Sequence, residues 1–114
     1  MYAVIFEVIP TSQGKEAYLK LAAELRDLLK GIDGFISIER FQSLVEDEKV
    51  LSLSFWRDEE AIANWRNLLD HRSAQKAGRE ALFKSYRIRV AEVVRDYSDK
   101  QRQQAPADSQ SIHS

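Results

Sequence analysis

The sequence contains no cysteine, so thiol nucleophiles, disulfide bonds and cysteine-ligated iron–sulfur or zinc sites are excluded. It has two histidines, His71 and His113, too few for a zinc site built from three or more histidines. Its 4 glycines form neither a GxGxxG fingerprint nor a P-loop, the motifs that nucleotide-binding folds use to hold phosphates. We therefore expect no metal and no other cofactor.

An excess of charge of one sign is also missing. Lysine and arginine number 17 and aspartate and glutamate 18, which leaves a formal charge of -1. Nucleic-acid binding needs many uncompensated cations on one face, so we expect no nucleic-acid partner. No apolar run approaches the roughly 20 residues of a membrane-spanning helix, and the first residues lack the features of a signal peptide. We therefore expect a cytoplasmic protein without a membrane partner.

The composition is that of one globular domain followed by a polar tail. The chain has 114 residues, of which 44% are hydrophobic and 31% are charged. Residues 98–114 contain a single large aliphatic residue, Ile112, and cannot bury enough apolar area to offset the entropy lost on ordering. We predict a folded domain over residues 1–97 and a flexible tail over residues 98–114.

Hydrophobic periodicity predicts strands and helices in the order β-α-β-β-α-β. Helix signals are caps at Thr11 or Ser12 and at Asp58, and a helix-ending glycine at Gly31. Pro10 ends the first strand because proline cannot donate a hydrogen bond to a sheet. The predicted strands are residues 2–9, 35–43, 50–56 and 86–94. Residues 74–82 are predicted to form a short third helix or a bent extension of the second.

The first predicted strand is apolar on both faces. One face consists of Tyr2, Val4, Phe6 and Val8. The residues between them form the second face, which is also apolar except for Glu7. The element order is that of the ferredoxin-like α+β fold, an antiparallel sheet with helices on one face. The helices cover one apolar face only, so we predict a homodimer in which a second copy covers the other.

Several segments together resemble the antibiotic biosynthesis monooxygenase family. They are Phe55-Trp56, the helix opening at residues 58–62, Trp65, the segment 71–75 and the closing strand 86–91. The resemblance covers about residues 1–97. It implies ferredoxin-like subunits that form a dimeric α+β barrel. Some members oxygenate phenols or quinols without metal or flavin, and others bind and degrade haem.

The resemblance also implies a pocket beside Trp65. In the polyketide oxygenases of the family, the position of a pocket tyrosine falls on His71 and that of a pocket asparagine on Ala61. In the haem-degrading members, the axial histidine position falls on Gln75 and a first-strand asparagine position falls on Glu7. The polar pocket residues of the polyketide oxygenases and of the haem-degrading members are therefore replaced by other residues in this sequence.

His71 is the candidate catalytic residue, because it is the only histidine inside the predicted domain. An imidazole of pKa about 6.5 can take a proton from a phenol near neutral pH; the alternative is a polar helix cap. On an unbroken helix His71 and Trp65 point about 240° apart. A shared pocket therefore requires the helix to break near Asp70.

Trp65, Phe55 and Glu7 are the candidate substrate-binding residues. The two aromatic side chains are suited to line a pocket for a flat ligand, with plain core packing as the alternative. Glu7 is either a pocket acid or base or the partner of an arginine, Arg89 or Arg40.

These observations predict a small cofactor-independent monooxygenase that uses O₂ on a small aromatic or quinol-like substrate. One alternative is a haem-binding or haem-degrading protein. Another is a non-catalytic dimer that binds a small ligand.

Overall fold

The computed structural model describes residues 1–12, 14–71 and 83–108, with the side chains of Asp70 and His71 left out. It has four strands and two helices, in the predicted order, and β3 has the predicted bounds. The predicted third helix lies outside the described residues. The elements are β1 Tyr2–Pro10, α1 Lys15–Leu29, β2 Phe35–Gln42, β3 Val50–Trp56, α2 Glu59–His71 and β4 Phe83–Glu92.

The four strands form one antiparallel sheet in the order β2-β3-β1-β4. β1 lies inside the sheet, because it pairs with β3 on one side and with β4 on the other. β2 and β4 are the edge strands. This is the ferredoxin-like α+β fold that the sequence predicted. In the described part of the chain, no helix is long and apolar enough to cross a membrane.

Both helices pack on the same face of the sheet, which we call the helix-side face. One core cluster joins Tyr18 of α1 to Val8 and Val50 of the sheet. The other joins Leu29 of α1 and Ala61 of α2 to Trp56. On β1, Val4, Phe6 and Val8 contribute to these clusters.

The opposite face of the sheet, which we call the open face, is also largely apolar. Ile5 of β1 lies opposite Leu53 of β3, and Ala3 lies opposite Phe55. Leu51, Leu53 and Phe55 are half-buried, whereas Ser52 and Ser54 between them face the helices and are fully buried. Leu51, Leu53 and Phe55 are thus turned away from the described helices, whereas Trp56 packs against them.

The turn into β2 and the start of α2 meet at Gly34. This glycine has a φ of 91°, a left-handed conformation that favours glycine. A Cβ at Gly34 would lie 2.6 Å from the Cβ of Ala61, so the first turn of α2 needs glycine there. Asp58 caps α2 as predicted, because its Oδ1 accepts the N–H of Ala61 at 2.9 Å.

Several predicted boundaries differ from the structure by one to three residues. β1 ends at Pro10, β2 at Gln42 and β4 at Glu92, where residues 9, 43 and 94 were predicted. The N-cap of α1 is Gly14, which makes no side-chain cap hydrogen bond, rather than Thr11 or Ser12. The C-cap is Lys30, one residue before Gly31. β4 begins at Phe83 instead of residue 86, because a register shift lets Pro10 lie opposite Phe83 and lengthens both strands.

Residues 93–108 continue beyond the sheet. The N–H of Val93 donates to the carbonyl of Met1 at 2.9 Å, which extends the β1–β4 pairing beyond β4. Farther on, the N–H of Asp96 donates to Oε1 of Gln104 at 2.8 Å, and Ala105 is buried. The interpretation of residues 98–114 as a flexible tail stays a prediction, which truncation tests.

Candidate functional site

The described helices leave the helix-side face incompletely covered at β4. Tyr86, Ile88 and Val90 lie directly opposite Val8, Phe6 and Val4 of β1 and therefore share their face. Yet Tyr86 is 63% exposed, Ile88 55% and Val90 47%. We call these three residues the β4 stripe. An exposed apolar stripe that continues a buried sheet face is typical of a ligand-binding surface.

Aromatic side chains form one end of this surface. The rings of Phe6 and Tyr86 meet edge to face with centroids 5.9 Å apart, and Phe83 lies 6.0 Å from Phe6. Tyr18 of α1 contacts Phe83 at 5.6 Å in the same geometry. Such edge-to-face contacts hold aromatic rings in fixed orientations. The β4 stripe thus begins at a fixed aromatic wall beneath the start of α1.

Trp65 lies toward the other end of the helix-side face. It is half-buried and packs against the cluster of Leu29, Trp56 and Ala61. Val4 packs against the same cluster and is the cross-strand neighbour of Val90 in the β4 stripe. The structure therefore places Trp65 on the correct side of the sheet for a pocket wall.

α2 is helical through Asp70 up to His71, the last described residue before the gap at 72–82, so a helix break just beyond this point, which a shared pocket requires, stays a prediction. On a regular helix, His71 and Trp65 point about 240° apart. The His71 side chain lies outside the described residues, and its role as a base stays a prediction.

Glu7 and Phe55 lie on the open face, on the other side of the sheet from Trp65. An Oε2 of Glu7 accepts a hydrogen bond from Nη1 of Arg89 at 3.3 Å, so Glu7 forms the ion pair with Arg89 that was its alternative interpretation. Within one subunit, the structure therefore does not bring Glu7 or Phe55 together with Trp65.

The charged groups near the start of α2 are mutually neutralised. Arg57 donates to Asp33 at 3.1 Å and to Asp58 at 3.1 Å. The hydrogen bond and charge of Arg57 lower the pKa of Asp33, while the Ala61 N–H and then Arg57 lower that of Asp58. Among the described residues, no group of three or more histidine, aspartate or glutamate side chains is placed to bind a metal.

Sequence analysis missed the β4 stripe as a site. An apolar alternation looks the same in a covered and in an uncovered strand, so no local signal marks this strand as exposed.

The sequence profile of the family described as antibiotic biosynthesis monooxygenase matches residues 1–77. The chain belongs to this family. A protein of Pyricularia oryzae named jasmonate monooxygenase ABM is 44% identical over 93 residues, which is 82% of this chain and 43% of that protein. The chain thus spans less than half the length of this monooxygenase.

Solved structures share the fold of this family member. A proposed antibiotic biosynthesis monooxygenase from Deinococcus radiodurans superposes with a TM-score of 0.73 at 13% identity, covering 86% of this chain and 97% of that one. MhuD, crystallised with two manganese protoporphyrin IX molecules per active site, gives a TM-score of 0.67 at 19% identity, covering 86% and 99%. At these identities the likeness concerns the fold alone.

Proposed function

We propose that this chain is a monooxygenase that binds a small, predominantly apolar substrate on the β4 stripe and uses O₂ as its oxidant. The observation that carries the proposal is the exposure of Tyr86, Ile88 and Val90 on the same face as Trp65. Family membership and the named activity of the Pyricularia oryzae relative support the choice of reaction.

The proposed substrate is an aromatic or quinol-like molecule that can lose a proton from oxygen. Proton removal gives a phenolate or enolate, which is electron-rich enough to reduce O₂ directly. When a CH₂ group becomes a carbonyl, one oxygen atom enters the product and the other leaves as water. The substrate carbon then supplies all the electrons that reduce O₂, so no separate reductant or cofactor is required.

His71 is the proposed general base, since positioned bases contribute about 10² to 10⁴ in rate. His71→Ala should lower turnover by that factor while leaving the fold intact. His113→Ala is the matched control, because it removes the only other histidine, which lies in the predicted tail. Equal turnover of the two variants would assign the base to another group.

The binding surface is tested by oxygen consumption of the full chain across a panel of phenols, quinols and jasmonate. In Ile88→Glu a charge replaces an exposed apolar side chain, so folding should persist while the KM rises because the apolar substrate meets a carboxylate. Val94→Glu is the control, since Val94 is also exposed but lies beyond the end of β4. An unchanged KM in Ile88→Glu would place the substrate elsewhere.

Haem binding is the competing outcome of the same experiments. Glu7, at the position of a first-strand asparagine in haem-degrading members, lies on the open face in an ion pair with Arg89, which does not favour haem on the helix side. A Soret band on haem titration, together with no oxygen consumption on the panel, would replace the monooxygenase proposal. If neither a Soret band nor oxygen consumption were observed, a non-catalytic ligand-binding dimer would be favoured.

We further propose that the protein works as a cytoplasmic homodimer in which two open faces pack together. The apolar open face of Ile5, Leu53 and Phe55 supports this arrangement, because no described helix covers it. Ile5→Lys should yield monomers in sedimentation, whereas Leu19→Lys, on the exposed side of α1, should leave dimers. A wild-type monomer at micromolar concentration would contradict the dimer, and cell fractionation tests the location.

A further inference from the structure

A groove of about 350 Å³ lies between α1 and the edge strand β2. The sheet order places β2 and β4 at opposite edges, so this groove is separate from the β4 stripe. One wall is apolar and comes from α1, and the rest of the lining is charged. The lining residues are Leu19, Ala22, Ala23 and Arg26 of α1, and Glu39 and Arg40 of β2.

Arg40 carries a buried hydrogen-bond donor that the described residues do not satisfy. It lies opposite Ser52 of β3, a residue of the helix-side face, and therefore extends beneath α1. Its Nε is buried, and no described residue accepts a hydrogen bond from it. An unpaired buried donor on a charged group is costly, so this atom indicates a missing acceptor.

Two arginines of the described chain outside this groove form ion pairs with a carboxylate. Arg57 binds Asp33, and Arg89 binds Glu7. Among the described residues, neither Arg26 nor Arg40 has a carboxylate within 4.0 Å.

The remaining charged lining residue does not supply the acceptor. Glu39 lies opposite Leu53 and so belongs to the open face. The groove therefore presents two guanidinium groups that no described carboxylate pairs with, and its charge favours an anion.

We propose that this groove binds a small amphiphilic anion, with its carboxylate held by Arg40 and Arg26 and its apolar body on Leu19, Ala22 and Ala23. Guanidinium groups bind carboxylates through paired, charge-assisted hydrogen bonds, and the Nε of Arg40 is one donor of such a pair. The aliphatic wall excludes a fully hydrated ion such as free sulfate as the best ligand. This proposal does not depend on the proposed oxygenase activity.

The test is a titration of the full chain with octanoate, followed by calorimetry and by NMR of the arginine Nε–H groups. Octanoate should bind and shift the Arg40 Nε–H signal. Octanol and octylamine, which have the same apolar body, should bind at least about tenfold more weakly because they lack the anionic head.

Two variants test whether octanoate binds in the groove rather than elsewhere on the surface. Arg40→Gln should weaken octanoate binding about tenfold or more, whereas Arg66→Gln, at an exposed position of α2, should leave it unchanged. If Arg40→Gln fails to fold, Arg26→Gln provides the same test at an exposed position of α1.

Three results would overturn the proposal. The first is octanol binding as tightly as octanoate, which would leave an apolar groove with no anion preference. The second is octanoate binding that neither arginine variant weakens. The third is an Arg40 Nε–H that is already hydrogen-bonded in the ligand-free protein, because the acceptor would then come from the chain itself or from a second copy.

Discussion

Ser54→Ala is expected to destabilise the domain far more than the loss of one hydroxyl suggests. The Nε1–H of Trp56 donates to Oγ of Ser54 at 2.8 Å, and both residues are buried, Trp56 being 2% exposed. Alanine leaves the indole N–H inside the core without an acceptor. A buried donor left unpaired costs about 1–3 kcal/mol, and we expect the free energy of unfolding to fall by that amount.

A double-mutant cycle isolates this hydrogen bond. Trp56→Phe removes the donor and destabilises through lost volume, by about 1–2 kcal/mol at roughly 24 cal/mol per Å³ of cavity. In that background Ser54→Ala leaves no indole donor unpaired, so its cost should fall below about 0.5 kcal/mol. The coupling between Ser54 and Trp56 should therefore be of the order of 1–2 kcal/mol.

The assay is urea unfolding followed by circular dichroism, with all variants at one protein concentration because dimerisation would make stability concentration-dependent. Ser52→Ala is the control, since Ser52 is a buried serine of the same strand and face whose hydroxyl is not bonded to an indole. Equal costs of Ser54→Ala with and without Trp56 would refute the argument that the indole N–H makes Ser54 important.

Further predictions concern the turns, the pH response and the tail. Gly34→Ala should lower the free energy of unfolding by at least about 2 kcal/mol in urea titrations, from left-handed strain and the clash with Ala61; a cost under about 0.5 kcal/mol would contradict this. The hydrogen bond from the Ala61 N–H, and then Arg57, lower the pKa of Asp58 in the folded protein. Asp58 therefore contributes to the free energy of unfolding above its unfolded pKa of about 3.9, and this contribution is lost as the pH falls through the lower folded pKa. In Asp58→Asn, the urea midpoint should therefore fall less steeply below about pH 4. An unchanged dependence of the midpoint on acidic pH would show that Asp58 does not contribute to it. Truncation after Tyr97 should leave the melting temperature unchanged, and a drop of more than a few degrees would show that the tail docks.

The element order could be predicted from the sequence because periodicity distinguishes helices from strands and because Asp58 and Gly34 carry local signals. Periodicity assigns side chains to two faces but does not say which face meets the helices. In β3, the serines rather than Leu51, Leu53 and Phe55 turned out to be buried under the helices. Strand alternation puts both serines on the same face as Val50 and Trp56, which pack into the helix-side core, and Ser54 there accepts a hydrogen bond from Trp56.

The site was less predictable than the fold. Trp65 could be chosen from sequence because a family resemblance singled it out, and it does lie on the helix side. Glu7 and Phe55 were chosen for their chemistry and for their positions in the resemblance, and strand alternation put them on the opposite face. The exposure of the β4 stripe depends on how far the helices extend sideways over the sheet, which is a property of packing and leaves no local mark in the sequence.

The pairing of β1 with β4 joins the two ends of the domain, and this has a consequence for folding during synthesis. Tyr2 pairs with Glu92, and the N–H of Val93 donates to Met1, so the first strand cannot acquire this neighbour until almost the whole domain has been made. At about 5–20 residues per second, β1 waits on the order of 5–20 s on the ribosome with the edge that pairs with β4 left open. The β2–β3 pair, in contrast, is close in sequence and can form early. Substitutions that stabilise this hairpin should therefore shorten the time during which β1 is exposed to aggregation.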